Sequence, residues 1–372
     1  MFEHCPIFRG MGLFDDAQKT AGRARYTAAQ GIRSAWYGAQ YAIAKRRSAG
    51  FNRPGEPAFK PTNPVDTKEL RASYFRLFAK DRANIEAGLY PAPEDFRLVD
   101  LPKAVKRARH FMEDVEDVDR RRVARDGAEV RDRLDGHNRY PAYYRQNFHY
   151  QTDGWLSDES AKLYDHQVEA LFTGSADAMR RAALAEIARE LKGRDQREVR
   201  LLDLACGTGR FLRETMRAFP RLQASGLDLS PNYAERARMQ VAPWPQVDII
   251  EGLAEALPLE DASLDVVVSI YLFHELPEKA RRDVMAEVSR VLKPGGVFII
   301  ADSLQFKDNE KLDGILEYFP EGFHEPYYKS YLGWDFAAPM QEAGFALERT
   351  EIAFLTKVNV WRKHAGGAGD GE

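Results

Sequence analysis

The chain has 372 residues, enough for two domains or for one large domain with an extension. Its 54 basic and 57 acidic side chains give a net charge of −3, which supplies no overall attraction to nucleic acid. With two cysteines, Cys5 and Cys206, a disulfide framework and a four-cysteine zinc site are excluded, and no apolar run reaches the roughly 18 residues needed to span a membrane. The opening MFEHCPIFRG lacks the charged start and apolar core of a signal peptide, so a reducing, cytoplasmic location is expected.

Residues 1–65 are expected to form a basic amphipathic arm and a linker. The first 60 residues carry ten basic side chains against four acidic ones. Ala29, Ile32, Trp36, Ala39 and Ile43 recur at helical spacing and make one apolar stripe, closed by Lys45-Arg46-Arg47. Two readings fit such a stripe. It packs on the rest of the protein or on a second copy in a homodimer, or it lies on an anionic membrane surface. Residues 51–65 hold Pro54, Pro57, Pro61 and Pro64 and read as the linker. A helical accessory region is expected over 66–138. There Leu70, Tyr74, Leu77 and Phe78 share a face, and a charged stretch follows from Pro102. That region carries no catalytic constellation.

Residues 139–364 are expected to be the catalytic domain, followed by a disordered tail over 365–372. The stretch 139–171 is rich in aromatics, read either as packing or as a lid, with His149, Tyr164 and His166 as its polar members of interest. Helices are expected from Ser157 and over 176–192. Then comes VRLLDLACGTGRFL, Val199 to Leu212. A short apolar run reads as a buried parallel strand, broken by one acid, Asp203, and ended by Gly207-Thr208-Gly209 at the head of a helix. A carboxylate in such a run is expensive without a partner. A second strand ends at Leu227, and Asp228 at its tip lies 21 residues beyond Gly207, where a nucleotide-like ligand has its ribose hydroxyls accepted. Ser230-Pro231 starts the next helix.

Further strands are expected at 247–251, 263–270 and 297–302, the last preceded by the turn signal Lys293-Pro294-Gly295-Gly296, with a helix over 277–292. Two more strands near the C-terminus suggest an antiparallel hairpin. Strands alternating with helices imply a doubly wound, largely parallel sheet. The turn lacks the third glycine of a dinucleotide site, where Leu212 stands, and has no lysine to meet phosphate. An acid ahead of the glycines favours a ligand with a cationic group and no phosphates, and S-adenosyl-L-methionine has that chemistry.

DLACGTG, LDLS, AEALPLED, LDVVVS and VLKPGG in this order resemble the class I S-adenosylmethionine-dependent methyltransferases, in particular the type 11, ubiquinone–menaquinone methyltransferase group. The resemblance covers about 199–302, and more weakly extends to 363. It implies a Rossmann-like seven-stranded α/β sheet with an antiparallel last strand. It also implies that Asp203, Ala205, Gly207 and Gly209 hold the methionine end of the cofactor. Asp228 would accept the ribose hydroxyls, Leu229, Ala254 and Glu255 would border the adenine, and Ser269 would open on the reaction centre. Leu253 departs from the pattern, which often has an acid or amide there, leaving that adenine bond to the backbone.

His274 follows the fourth strand at the carboxyl edge, where open α/β sheets place ligands, and both a base or substrate role and a packing role remain open. The aromatic stretch 316–334 is read as a substrate lid, with His324 as a second candidate base and Tyr327 and Tyr328 as substrate contacts beside Tyr164. The reaction expected is methyl transfer to oxygen or carbon of a small, rather apolar quinone-, phenol- or lipid-like acceptor. The rivals are a cofactor-binding assembly module without turnover and an RNA or protein methyltransferase. No metal and no nucleic-acid partner are expected.

Overall fold

The computed structural model describes residues 6–48, 57, 59–94, 101–130 and 140–365, with side chains from residue 19 onward. Cys5, Pro54 and the glycine-rich tail beyond 365 lie outside the described residues.

Three helices precede the sheet domain: α1 (Pro6–Arg47), α2 (Thr67–Glu86) and α3 (Leu101–Ala124). Asp66 caps α2 by accepting from the N–H groups of Lys68 and Glu69 at 2.9 and 3.0 Å. Two more helices, α4 (Asp158–Leu171) and α5 (Ala176–Glu190), lead into the sheet, α4 being capped by the Ser157 hydroxyl.

Seven strands follow: β1 (Arg200–Leu204), β2 (Gln223–Asp228), β3 (Asp248–Glu251), β4 (Leu264–Ile270), β5 (Leu292–Ser303), β6 (Phe345–Ala353) and β7 (Thr356–Lys363). Their order is β3-β2-β1-β4-β5-β7-β6, parallel from β3 to β5, with β7 antiparallel to both β5 and β6. Between the strands run α6 (Arg210–Ala218), α7 (Pro231–Val241) and α8 (Glu278–Val291). The doubly wound sheet and its closing hairpin are as the alternation implied. One detail differs. Lys293-Pro294-Gly295-Gly296 is an excursion within β5, because Leu264 pairs with Leu292 and Val266 already with Val297. Gly295 makes it possible with φ of 76°.

α5 is buried along almost its whole length and lies against β4, β5 and β7. Its charged residues are therefore paired. Arg181 meets Asp81 of α2 at 2.9 and 2.7 Å, both nearly fully buried, and Asp81 also accepts from the hydroxyls of Tyr26 in α1 and Tyr90. Asp177 is gripped by Arg33 of α1 and by Arg210 at the start of α6. These two ionic hubs tie the N-terminal helices to the sheet domain.

They also contradict one of the two readings of α1, that its apolar stripe packs on the rest of the protein. The face that packs inward is polar: Tyr26, Gln30, Arg33 and Gln40 are buried, while Ile32 and Ile43 of the apolar stripe are 57% and 43% exposed. The interior that α1 meets is charged, so the side chains that answer it are an arginine, amides and a tyrosine. The described part of the proline-rich linker is packed as well. Phe59 stands edge-on to Tyr318 at 5.1 Å, and the Thr62 N–H donates to Glu317 at 2.7 Å.

Candidate active site

The carboxyl ends of β1, β2 and β4 open on one cavity of about 390 Å³. Two residues that directly follow strands, Ala205 after β1 and Tyr271 after β4, both line it and both take left-handed backbone, φ 58° each. Such conformations are strained for residues with a Cβ and cluster where backbone must be aimed.

Gly207, at φ 56°, directs its N–H to the Asp228 carboxylate at 2.8 Å, and the other carboxylate oxygen accepts from Ser230 N–H at 2.9 Å. Burial pushes the Asp228 carboxyl up to about 6, against the pull of those backbone donors. Leu229, Ala254 and Glu255 line the cavity beside it, and Glu255 accepts from the Tyr143 hydroxyl. Gly209 has a different task. At φ 77° it starts α6, and a Cβ there would stand 2.8 Å from the Ala237 Cα, so the glycine lets α6 approach α7. It does not line the cavity.

Asp203 is buried near the end of β1, and neither carboxylate oxygen has a partner. Burial, with Asp228 adding to it, holds its carboxyl well above the usual range. Ser269 is fully buried near the end of neighbouring β4, and its hydroxyl is likewise without a partner; neither Ser269 nor Asp203 is itself among the residues that line the cavity. Orphaned buried polar groups carry a free-energy cost that a bound partner removes. The set fits a cofactor with a cationic amino-acid end, a ribose and an apolar-faced base.

Across the cavity His274 is buried with Nδ1 2.5 Å from Asp302, which ends the apolar run of β5. Burial opposes its charge, but the carboxylates of Asp302 and Glu275 outweigh it and raise the imidazole to about 9. His149 also reaches the cavity, from a left-handed backbone at φ 56°. Its Nε2 lies 3.1 Å from Glu275 and 3.3 Å from Glu325, and these carboxylates overcome burial and lift it to about 10. Each glutamate has one further oxygen without a partner. Phe172, Ile270, Leu272, Phe319 and Phe323 supply apolar wall.

Among the remaining sequence candidates, Tyr164 lines the cavity, edge-on to Tyr233 at 5.5 Å, and Tyr328 lines it with its hydroxyl 2.7 Å from Ser303. Tyr327 and His324 do not. The Tyr327 hydroxyl faces Gln146, and His324 places Nε2 2.9 Å from Gln146 Oε1, against Tyr150. The adjacent residue, Glu325, is the one that enters the cavity, while the His324 carbonyl accepts from His149 N–H at 3.1 Å. His166 is buried between Tyr37 and Phe111 with Nε2 2.7 Å from Gln40, and burial lowers it to about 4. Sequence reasoning missed Asp302 and Glu325. Asp302 was within reach, since it ends an apolar strand run with an acid just as Asp203 nearly does.

A methyltransferase-domain family profile matches residues 201–296, covering β1 to the start of β5. An uncharacterized methyltransferase of Synechocystis is 31% identical over 153 residues, which span 41% of this chain and 69% of that protein. The chain belongs to the class I S-adenosylmethionine-dependent methyltransferases. This methyltransferase is also 34% identical over 149 residues to a demethylmenaquinone methyltransferase of Chlorobaculum tepidum, covering 40% of the chain and 58% of the relative. A sterol 4-C-methyltransferase of Caenorhabditis elegans is 33% identical over 116 residues, 30% of the chain and 34% of that protein. The chain thus spans little more than half the length of the quinone-methylating relative. Helices α1–α5 lie outside the matched family profile.

Proposed function

We propose that the protein transfers a methyl group from S-adenosylmethionine to carbon or oxygen of a small apolar acceptor bearing an ionisable hydroxyl, a quinol- or phenol-like ring. The observation that carries this reading is the buried His274–Asp302 pair facing the same apolar cavity as Asp228. When bound, the cofactor supplies a methyl group on a sulfonium that leaves readily. Asp228, which lines the cavity with Ala205 and Gly207, is the side chain suited to hold it, and Asp203 and Ser269 are unpartnered polar groups buried near the same strand ends.

The protein's own task is alignment and control of acceptor charge. A ring oxygen near His274 Nε2 meets an imidazolium at neutral pH, because the group loses its proton only near pH 9. That charge favours the acceptor as its oxyanion, the hydroxyl proton having passed to solvent as the acceptor enters, and the oxyanion is the stronger nucleophile at oxygen and at the neighbouring ring carbon. Transfer to carbon also releases the ring proton, which the unpartnered Glu275 and Glu325 oxygens can take. Glu275 and Glu325 offer unpartnered oxygens to a second acceptor hydroxyl, and His149 fixes both.

A peripheral contact of α1 with an anionic membrane at its cytoplasmic face belongs to the same proposal. It is supported by the exposure of Ile32, Tyr41 and Ile43 beside Lys45, Arg46 and Arg47. Incubating the protein with cofactor and separate quinol, phenol and phospholipid acceptors, then weighing the products, tests the reading. A one-methyl mass gain on a hydroxyl-bearing ring is expected. Gain on none of the three removes this acceptor class.

A further inference from the structure

α3 is among the most charged helices of the chain, yet Phe111, Val115 and Val118 recur on it at helical spacing. Phe111 packs against His166 of α4. Val115 and Val118 are only half-buried, and they line the same cavity as Asp228 and His274, as do Tyr41 and Ala44 of α1. The cavity therefore runs from the cofactor-side residues, past the histidines, and out between α1 and α3. Most polar groups along this outer arm are occupied with one another, although the buried Arg122 keeps its Nη1 without a partner. Asp114 accepts from Thr152 and Gln167, and Asp119 from Arg122. What remains toward the gap is largely apolar.

We propose that the gap between α1 and α3 holds an apolar tail carried by the acceptor, so that the N-terminal helices are the tail-selecting half of the substrate site. The inference rests on the apolar-acceptor reading and goes beyond it, assigning a subsite to helices that the matched family profile does not cover. Continuity with the reacting end decides the occupant. A tail attached to a ring at His274 has this arm as its path to the surface, where it emerges beside Lys45. Each methylene taken from water into such a channel favours binding, and a few of them are worth a tenfold preference or more.

The test uses the full chain and two acceptors that share one hydroxyl-bearing ring, one with a long isoprenoid or alkyl tail and one without. The wild type is expected to favour the tailed acceptor in kcat/KM by about tenfold or more. Val118→Glu and, independently, Val115→Trp are expected to cancel most of that preference. The readout is the ratio of kcat/KM for the two acceptors within each variant, with folding checked by the melting temperature. Equal use of the two acceptors by the wild type overturns the proposal, as does a variant that folds and keeps the full preference. Calorimetric binding of a long-chain alkylphenol against phenol reads the channel without turnover. Tail-dependent binding weakened by Val118→Glu, with no methyl transfer, would uphold the channel and refute the activity; tail-independent binding would refute the channel alone.

Discussion

At the scale of single residues, the site is a set of buried charges whose partners decide their protonation. His274 carries its proton into neutral pH because Asp302 and Glu275 outweigh the cost of burial. A histidine raised in this way stabilises the fold fully below its unfolded value of about 6.5, and the contribution is lost as pH rises through about 9. The same charge should govern turnover. We expect kcat/KM to fall above pH 9, and His274→Ala to lower kcat by about 10²–10⁴-fold with cofactor affinity intact. His274→Gln, still a donor, should keep part of the rate. A rate that climbs through pH 9 would assign His274 as a base instead. Asp228, pushed up to about 6, gives a second expectation. Cofactor affinity by calorimetry should weaken as pH falls through 6, and Asp228→Ala should weaken it about tenfold or more at pH 7.5, the loss of a charge-assisted hydrogen bond. Affinity independent of both would remove Asp228 as the ribose acceptor.

At the scale of elements, the strands and the doubly wound class of the sheet were readable because apolar runs, glycine turns and capping residues are local signals. Asp228 could be placed from spacing alone, since it sits one helix and one strand beyond Gly207. The ion pairs that orient α1 were not readable, because Arg33 lies 144 residues from Asp177 and an apolar stripe normally marks the buried face. His149 was noticed without its purpose, which appears only when Glu275 and Glu325 converge on it from two other segments. The hub at Asp81 makes a prediction at this scale. Asp81→Asn leaves Arg181 buried without a full counter-charge, and should cost about 3–5 kcal/mol in urea unfolding. An unchanged midpoint would mean that α2 docks through apolar contacts alone.

At the scale of the whole molecule, an ionically fastened helical layer faces outward with isoleucines and basic residues, and inward with a wall of the substrate cavity. If α1 meets a membrane, sedimentation with vesicles containing anionic lipid should capture the protein. Capture should weaken with salt and be reduced in Ile32→Glu/Ile43→Glu. Equal partition to neutral vesicles would argue against an electrostatic contact, and retention of a dimer in place of vesicle binding would assign the stripe to a second copy.

The central claim is that the cavity selects an acceptor whose hydroxyl ionises beside His274. The most direct measurement gives the protein methyl-labelled cofactor with an apolar quinol and, separately, with that quinol's diether, and follows label into the organic extract. Transfer to the quinol alone, strongly reduced in His274→Ala, is the predicted result. Equal labelling of quinol and diether, or label found only on protein or RNA, would contradict it.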